Sequence, residues 1–528
     1  MDYNTTEESI MQEKRQIQPD LTRLKAIFFG AIVGLFAGAV VSVFRLLIEH
    51  MLILVQGIYG WLGQHPWWLI PWAILLAAIA FLIGHWVKQT PMIKGSGIPQ
   101  VEGQLAGELD YAWWPVLWKK FISGVLGIGS GLFLGREGPS IQLGGTVAQG
   151  LAYRLGFTGT QRRLVIAGGA AAGLSAAFNA PIASTLFILE EVYHSFSTLV
   201  WLTALTSAVV ANFVSNGVFG LTPVLHINYQ QALPLKYYWL LLVLGIGLGL
   251  LGFGYQWVTL RVGKWYAKLT WLPRHLDGVV PFLLVIPIGL MWPLALGGGN
   301  QMIVTFAKQT PLLIPLIGYF ILRFCFSTVS YGAGLPGGIF LPILTLGALL
   351  GAIGARSFVL LGWLPSIFVA NFIIYAMAGY FAGISKAPFT AILLITEMVG
   401  TLHHLMPLAV VAIVAYITVD VLGGAPIYEA MLRQLVKPAE ANADGVADRV
   451  EYPIGENSGF DSQQVRDLTW PDGSLLVAVR RGEREVIPNG DTILKSGDTL
   501  IIFTYRHNRA YVRQQLAKLN NSPHRLLD

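Results

Sequence analysis

Gly135-Arg136-Glu137-Gly138-Pro139 sits between two apolar, glycine-rich runs, Phe121 to Leu134 and Ser140 to Gly150. An ionisable side chain at such a place is costly in lipid and by default marks a functional site. Gly135 and Gly138 flank the charged pair, and Pro139 stands where the first turn of a helix accepts it. A helix that starts here aims its unbonded N–H groups and the positive end of its dipole at one point, which makes an anion site. Glu137 hangs over that point. The stretch therefore sets a tethered carboxylate against a free anion and asks the rest of the chain for a membrane scaffold.

The composition supplies one. Of 528 residues, 54% are hydrophobic and 12% charged, where a soluble chain carries roughly 25% charged residues. This is a polytopic membrane protein with more than one part. The single cysteine, Cys325, lies in an apolar run, which excludes a disulfide framework and a cysteine metal cluster. A net charge of +6 is accounted for by cytoplasmic loops and tails rich in Lys and Arg, not by a nucleic-acid partner. The polar start, Met1 to Asp20, has no apolar signal core.

Residues 5–24 are helix-friendly and predict a cytoplasmic helix leading to the bilayer. Apolar runs follow at about 25–55, 68–87, 116–134, 140–155, 164–190, 198–219, 236–262, 279–296, 311–330, 340–363, 367–384, 388–400 and 405–422. Several fall short of the ~20 residues that span a bilayer, and many are broken by Gly or Pro, which lipid tolerates only where the loosened backbone is covered by protein or lines a cavity. Trp67, Trp68, Trp113, Trp114 and Trp118 sit at run ends, as an interfacial belt does.

An internal repeat organises these runs. Ala180-Pro181-Ile182-Ala183-Ser184-Thr185-Leu186-Phe187-Ile188-Leu189-Glu190 aligns with Ala387-Pro388-Phe389-Thr390-Ala391-Ile392-Leu393-Leu394-Ile395-Thr396-Glu397. Ala172-Gly173-Leu174-Ser175 precedes the first copy and Ala382-Gly383-Ile384-Ser385 the second. Two halves with helices interrupted at corresponding positions predict a transporter-like fold with its site at the repeat interface. Past Leu435 the composition changes: Ala439 to Arg449 reads as a linker, and from Glu451 the pattern is that of a soluble α/β module. Ser474 to Val479 and Thr499 to Phe503 read as strands, the segments around Asn489-Gly490 and Ser496-Gly497 as turns, and Asn508 to Leu519 as a helix.

Two further segments have the make-up of the first: Gly95-Ser96-Gly97-Ile98-Pro99 and Gly338-Ile339-Phe340-Leu341-Pro342. Each sets small residues and a proline beside an apolar helix, and Ser96 adds a hydroxyl donor. In this order the three segments resemble the signature motifs of the CLC family of chloride channels and proton-coupled chloride transporters. Gly423-Gly424-Ala425-Pro426-Ile427-Tyr428 is similar to that family's late segment bearing a pore tyrosine, and Ala177 to Pro181 through Glu190-Glu191 also matches. The likeness covers roughly residues 20–433. One departure is Gln100, where many members carry an acid.

The resemblance implies an all-α polytopic membrane protein of two inverted repeats of tilted, broken helices, working as a homodimer with one pore per subunit. It implies that a central chloride meets the Ser96 and Tyr428 hydroxyls and the backbone N–H groups of Ile339 and Phe340, with Gly97, Ile98, Glu137 and Gly138 also at the chloride site. It makes Glu137 the outer gating carboxylate and Glu191 the inner proton-transfer group. Ser96 resembles chloride-preferring members; nitrate-preferring ones carry proline there. From residues alone, Glu190-Glu191 is equally a helix end reaching solvent and Tyr428 an interfacial tyrosine. Arg136 reads as the structural partner of a carboxylate, Glu397 as structural, and His403-His404 as a solvated helix terminus.

Ile487 to Leu500 resembles the C-terminal subdomain of RCK/TrkA-type regulators of ion transport, over about 450–519. Such subdomains dimerise and bind small ligands; cyclic di-AMP, an adenine nucleotide or no ligand all fit. The expected organisation is a cytoplasmic segment 1–20, a transport domain 21–435, a linker 436–450, a regulatory domain 451–520 and a tail 521–528. The expected function is chloride/proton antiport across a cell (inner) membrane, multi-pass with both termini cytoplasmic, with chloride and protons as substrates and no cofactor, metal, catalytic residue or nucleic acid. A passive chloride channel on the same fold is the alternative. A potassium transporter lacks support because no Thr-Val-Gly-Tyr-Gly-like carbonyl filter is present, and an enzyme because no nucleophile–base pairing or metal-ligand set is apparent.

Overall fold

A computed structural model describes residues 22–436 and 447–520, save 195, 226, 228–230, 269, 271, 456–457, 482–483 and 506–507. The expected N-terminal helix up to residue 21, most of the linker and the tail 521–528 lie outside these residues. The helices are α1 Thr22–Leu62, α2 Leu69–Gln89, α3 Ile98–Ala106, α4 Trp113–Gly129, α5 Glu137–Arg154, α6 Gly159–Phe178, α7 Pro181–Phe187, α8 Thr198–Phe219 and α9 Tyr238–Tyr266. They continue as α10 Val279–Met291, α11 Asn300–Lys308, α12 Leu313–Gly332, α13 Phe340–Leu360, α14 Val369–Ser385, α15 Pro388–Val399, α16 Leu405–Val421 and α17 Ile427–Leu435. Among the described residues eight helices are long and apolar enough to cross a membrane. Most of the others are short, as the broken apolar runs predict; α5 and α6 reach 18 and 20 residues but are less apolar.

Small residues spaced by four bring helix backbones together, the packing that lipid-embedded helices use in place of hydrophobic drive. Gly34 and Gly38 of α1 face Ser207 and Ala211 of α8, and Gly347 and Gly351 of α13 face Ala376 and Phe372 of α14. The tightest seam joins α5 to α6. A Cβ at Gly144 would overlap the Gly169 carbonyl, one at Gly169 the Gly144 carbonyl, and one at Gly173 the Ser140 carbonyl.

The repeat is visible in the backbone. Asn179 ends α6 with φ 58° and Lys386 ends α14 with φ 59°, both left-handed; each is followed by Ala-Pro opening the next helix, α7 or α15. Each Ala-Pro helix is capped by the glutamate of the other copy. Glu190 accepts from the backbone N–H of Thr390 (2.8 Å) and Phe389 (3.3 Å), and Glu397 from Ala183 (2.8 Å) and Ile182 (3.1 Å). A carboxylate at the far end of each helix meets the start of the other, so α7 and α15 run antiparallel, as inverted halves require. Each carboxylate satisfies N-terminal donors that are otherwise orphaned.

The chain from Leu432 onward, with Ala106–Asp110, forms a separate compact unit. It holds β1 Ala447–Pro453, β2 Ser474–Arg481, β3 Arg484–Val486, β4 Thr499–Tyr505 and α18 Arg509–Asn520. The sheet is antiparallel in the order β1-β4-β2-β3. Val450, Val479, Leu500 and Ile502 from the strands pack with Val512 and Leu516 of α18. The first strand begins at Ala447, inside the stretch read as linker. Asp498 is buried; it accepts the Arg481 guanidinium through both oxygens (2.8 and 2.6 Å) and the Lys495 backbone N–H (2.9 Å). These bonds hold the Arg481 guanidinium above its ordinary range. Asp498→Ala is expected to destabilise this turn by about 1–3 kcal/mol, read as faster amide exchange in β4 of the full-length protein with the membrane helices unaffected.

Candidate anion and proton site

The three glycine segments meet. Gly135 and Gly338 exchange two hydrogen bonds, each N–H donating to the other's carbonyl at 2.7 Å, and Gly337 N–H donates to the Gly95 carbonyl at 3.0 Å. Glycine is needed for these approaches. A Cβ at Gly338 would lie 3.2 Å from the Gly138 nitrogen, and one at Gly138 would collide with Ser96 Oγ. The outcome is that α3, α5 and α13 begin around one place, with Ile98, Glu137 and Phe340 as their first residues. The first-turn N–H groups of a helix have no partner within it, so three dipoles present positive ends to one small volume.

Glu137 fills part of that volume. It is fully buried, and its carboxylate faces the backbone N–H groups of Leu341 and of Glu137 itself without a full hydrogen bond to either. Arg136 Nε stands 3.9 Å away, and Arg136 Nη1 is held by Glu49 at 2.7 Å. Glu49 also takes Arg45 Nε at 3.0 Å, and the Arg45 guanidinium lies over the Phe219 ring. Arg136 is thus the partner of a carboxylate, as the sequence predicts, and the chain Arg45–Glu49–Arg136 runs from α1 to the start of α5.

Two buried hydroxyls belong to the same candidate site. Ser96 Oγ and Tyr428 Oη are buried and make no hydrogen bond among the described residues. Buried hydroxyls of that kind call for a partner that is not protein. Tyr428 packs edge-on against Phe187, which meets Phe340, so the first residue of α13 and Tyr428 share an aromatic wall. The Ser96 turn is stapled from outside. Lys120, fully buried, donates to the carbonyls of Ile93 (2.9 Å) and Gly95 (2.7 Å). The Gln100 amide donates to the Lys94 carbonyl at 2.8 Å; at this departure from the family pattern the side chain supports the turn. Gly97, with φ 95°, and Ile98 lead from the turn into α3, and both are buried.

Glu191 occupies a π-turn, Ile188–Val192, that follows α7; such single-turn widenings recur at functional sites. It is 3% exposed, and its Oε1 has no hydrogen-bond partner, so it is not a helix end in solvent. Glu190 beside it faces the other way, onto α15. Both Glu191 and Glu137 bear electrostatically on Tyr428, which places the tyrosine with the two carboxylates. Among the described residues no group of His, Cys, Asp and Glu fits a metal ion. His403 is exposed as expected, but His404 is buried, with Nδ1 3.1 Å from the Tyr375 hydroxyl, because the chain turns inward there to start α16. Residues that sequence reasoning missed are Lys120, Glu49, Arg45 and Glu102. The signal for the first three was available: each is a charge within or beside an apolar run, which is functional by default.

The arrangement fits a class: a membrane transport protein in which helix starts converge on a buried, protonatable side chain. Residues 76–420 match the family model described as voltage gated chloride channel, and 449–517 match the TrkA-C domain. The chain belongs to the voltage-gated chloride channel family and carries a TrkA-C domain after it. It is 32% identical to the H(+)/Cl(-) exchange transporter ClcA of Salmonella typhi, over 85% of this chain and 96% of that one. The corresponding Salmonella paratyphi A protein is 33% identical with the same coverage. Among solved structures, that of a slow cyanobacterial Cl−/H+ antiporter superposes with a TM-score of 0.74 at 30% identity, covering 78% of this chain and 98% of that one. A eukaryotic CLC transporter shares the fold at 20% identity, with a TM-score of 0.65 over 85% of this chain and 80% of that one.

Proposed function

We propose that this chain is a chloride/proton antiporter with a regulatory C-terminal domain. The observation that carries the reading is the position of the Glu137 carboxylate at the point where helix N-termini converge. A chloride at the same place would meet the first-turn N–H groups of α5 and α13, Ile339 and Phe340 included, and the hydroxyls of Ser96 and Tyr428. Neutral dipoles hold an anion weakly enough to release it, which a conduit requires. Ionised, Glu137 competes for the cradle as a tethered anion. Protonated, it loses that attraction and yields its place. One side chain then couples a chloride step to a proton step. Net exchange needs a second protonatable group on the other side, and Glu191 is that group.

The multi-pass chain is read as lying in a cell (inner) membrane with both termini cytoplasmic, as a homodimer in which each subunit has its own pathway. The TrkA-C domain is read as a regulator; an adenine nucleotide or cyclic di-AMP is the ligand class that the likeness suggests.

In liposomes, an imposed chloride gradient is expected to drive protons the opposite way to chloride uptake, against a proton gradient. A conductance whose reversal potential ignores pH would instead define a passive channel. Tyr428→Phe removes one donor to a charged partner, worth about 1.5–3 kcal/mol. Chloride affinity by calorimetry should fall roughly 10- to 150-fold; an unchanged affinity would remove Tyr428 from the anion site.

A further inference from the structure

We propose that His194 and Glu102 form the entry through which protons pass between solvent and Glu191. This rests on the reading of Glu191 as the inner proton-transfer group and names the route that reading lacks. A fully enclosed carboxylate cannot exchange protons with bulk water unless something carries them, and the π-turn supplies the start of a path. Two residues after it ends, His194 Nε2 lies 3.6 Å from Glu102 Oε1. Side-chain exposure falls from 41% at His194 to 4% at Glu102, and Glu191 is as buried as Glu102.

The titratable groups that bear electrostatically on Glu191 come from three elements: Glu102 on α3, Glu190 in the same turn, and Glu429 and Tyr428 on α17. Glu190 is taken up by the start of α15. Of these, Glu102 is the carboxylate that lies 3.6 Å from an imidazole reaching water. His194 also adopts φ 52°, a left-handed conformation that costs a non-glycine residue on the order of 1–3 kcal/mol and gathers at functional sites. Glu102 stands on the helix that begins at the Ser96 turn, so the entry and the anion cradle share one short rigid element.

Each transfer balances without a co-reactant. Imidazolium at His194 gives its Nε2 proton to a Glu102 oxygen; the neutral ring, still protonated at Nδ1, takes a new proton from hydronium at the vacated Nε2 when the ring turns toward solvent; and protonated Glu102 passes its proton to Glu191. The half-exposed ring closes the 3.6 Å gap by rotation, bringing donor and acceptor to the roughly 2.6–3.2 Å that transfer requires.

The test is chloride-driven proton movement in liposomes at low buffer concentration, for the unaltered protein, His194→Ala, Glu102→Gln and Glu191→Gln, each with and without added imidazole. His194→Ala should slow proton movement several-fold, and imidazole should restore it, because a diffusible base replaces the missing one. Imidazole should restore neither carboxylate variant. Proton movement in His194→Ala at the unaltered rate, or slowed and unresponsive to imidazole, would overturn the entry route while leaving Glu191 in place. Proton movement that survives Glu191→Gln would sink the reading beneath it.

Discussion

Replacing Glu137 by glutamine is expected to give a protein that passes chloride and no longer moves protons. The amide is close in size to the protonated acid, so the helix starts around it keep their places. It carries no charge at any pH, so it never contends with chloride for the N–H groups of α5 and α13, and it has no proton to hand on. Chloride flux should become independent of pH, and a chloride gradient should drive no proton movement. Arg136 remains held by Glu49 at 2.7 Å, so folding is not at stake. Proton coupling that survived would show that the gating carboxylate lies elsewhere. Glu191→Gln should also end proton movement, but from the other side: chloride flux there keeps its dependence on external pH, because Glu137 still titrates.

Gly173→Val is expected to abolish folded protein. The site faces the Ser140 carbonyl, one turn into α5, and the obstacle to a new side chain is backbone, which cannot rotate away. Overpacking against mobile side chains costs about 1–3 kcal/mol; here α5 must shift bodily, and with it Glu137 at its start. Gly144 and Gly169 close the same seam from both helices. Detergent-extracted protein should elute as aggregate or be absent. Gly247→Ala is the contrast: that position on α9 has open space around it, and the change should be tolerated or stabilise the helix by up to ~1 kcal/mol. Similar elution of the two variants would mean that the α5–α6 seam is looser than described.

Much of the architecture was legible because it is punctuated locally. Ala-Pro after a left-handed residue starts α7 and α15, and those dipeptides stand in the sequence at matching places. The glycine segments were legible as helix starts for the same reason. Their meeting was not: the Gly135–Gly338 and Gly95–Gly337 bonds join residues some two hundred positions apart, and no local pattern reports such pairs. The charges of Lys120 and Glu49 stand out in the sequence, but their partners do not, being a carbonyl turn 27 and 25 residues back and an arginine 87 residues on. That the Glu137 carboxylate faces the N–H of Leu341 was not legible either, because which first-turn donor a side chain meets depends on how two helices cross. In the C-terminal unit, β2 and β4 read clearly as apolar strands. The edge strand β1 did not, because Asp448, Arg449 and Glu451 interrupt its pattern, as charges on an edge strand do.

The direct test of the central claim is to find the anion. Crystals of the unaltered protein and of Glu137→Gln grown in bromide would show by anomalous scattering where a halide rests. A bromide peak between the Ser96 and Tyr428 hydroxyls and the start of α13 is expected in both, with a second peak in the glutamine variant where the Glu137 carboxylate had been. Bromide absent from that cradle, or the same peaks with and without the carboxylate, would contradict the competition on which the coupling depends.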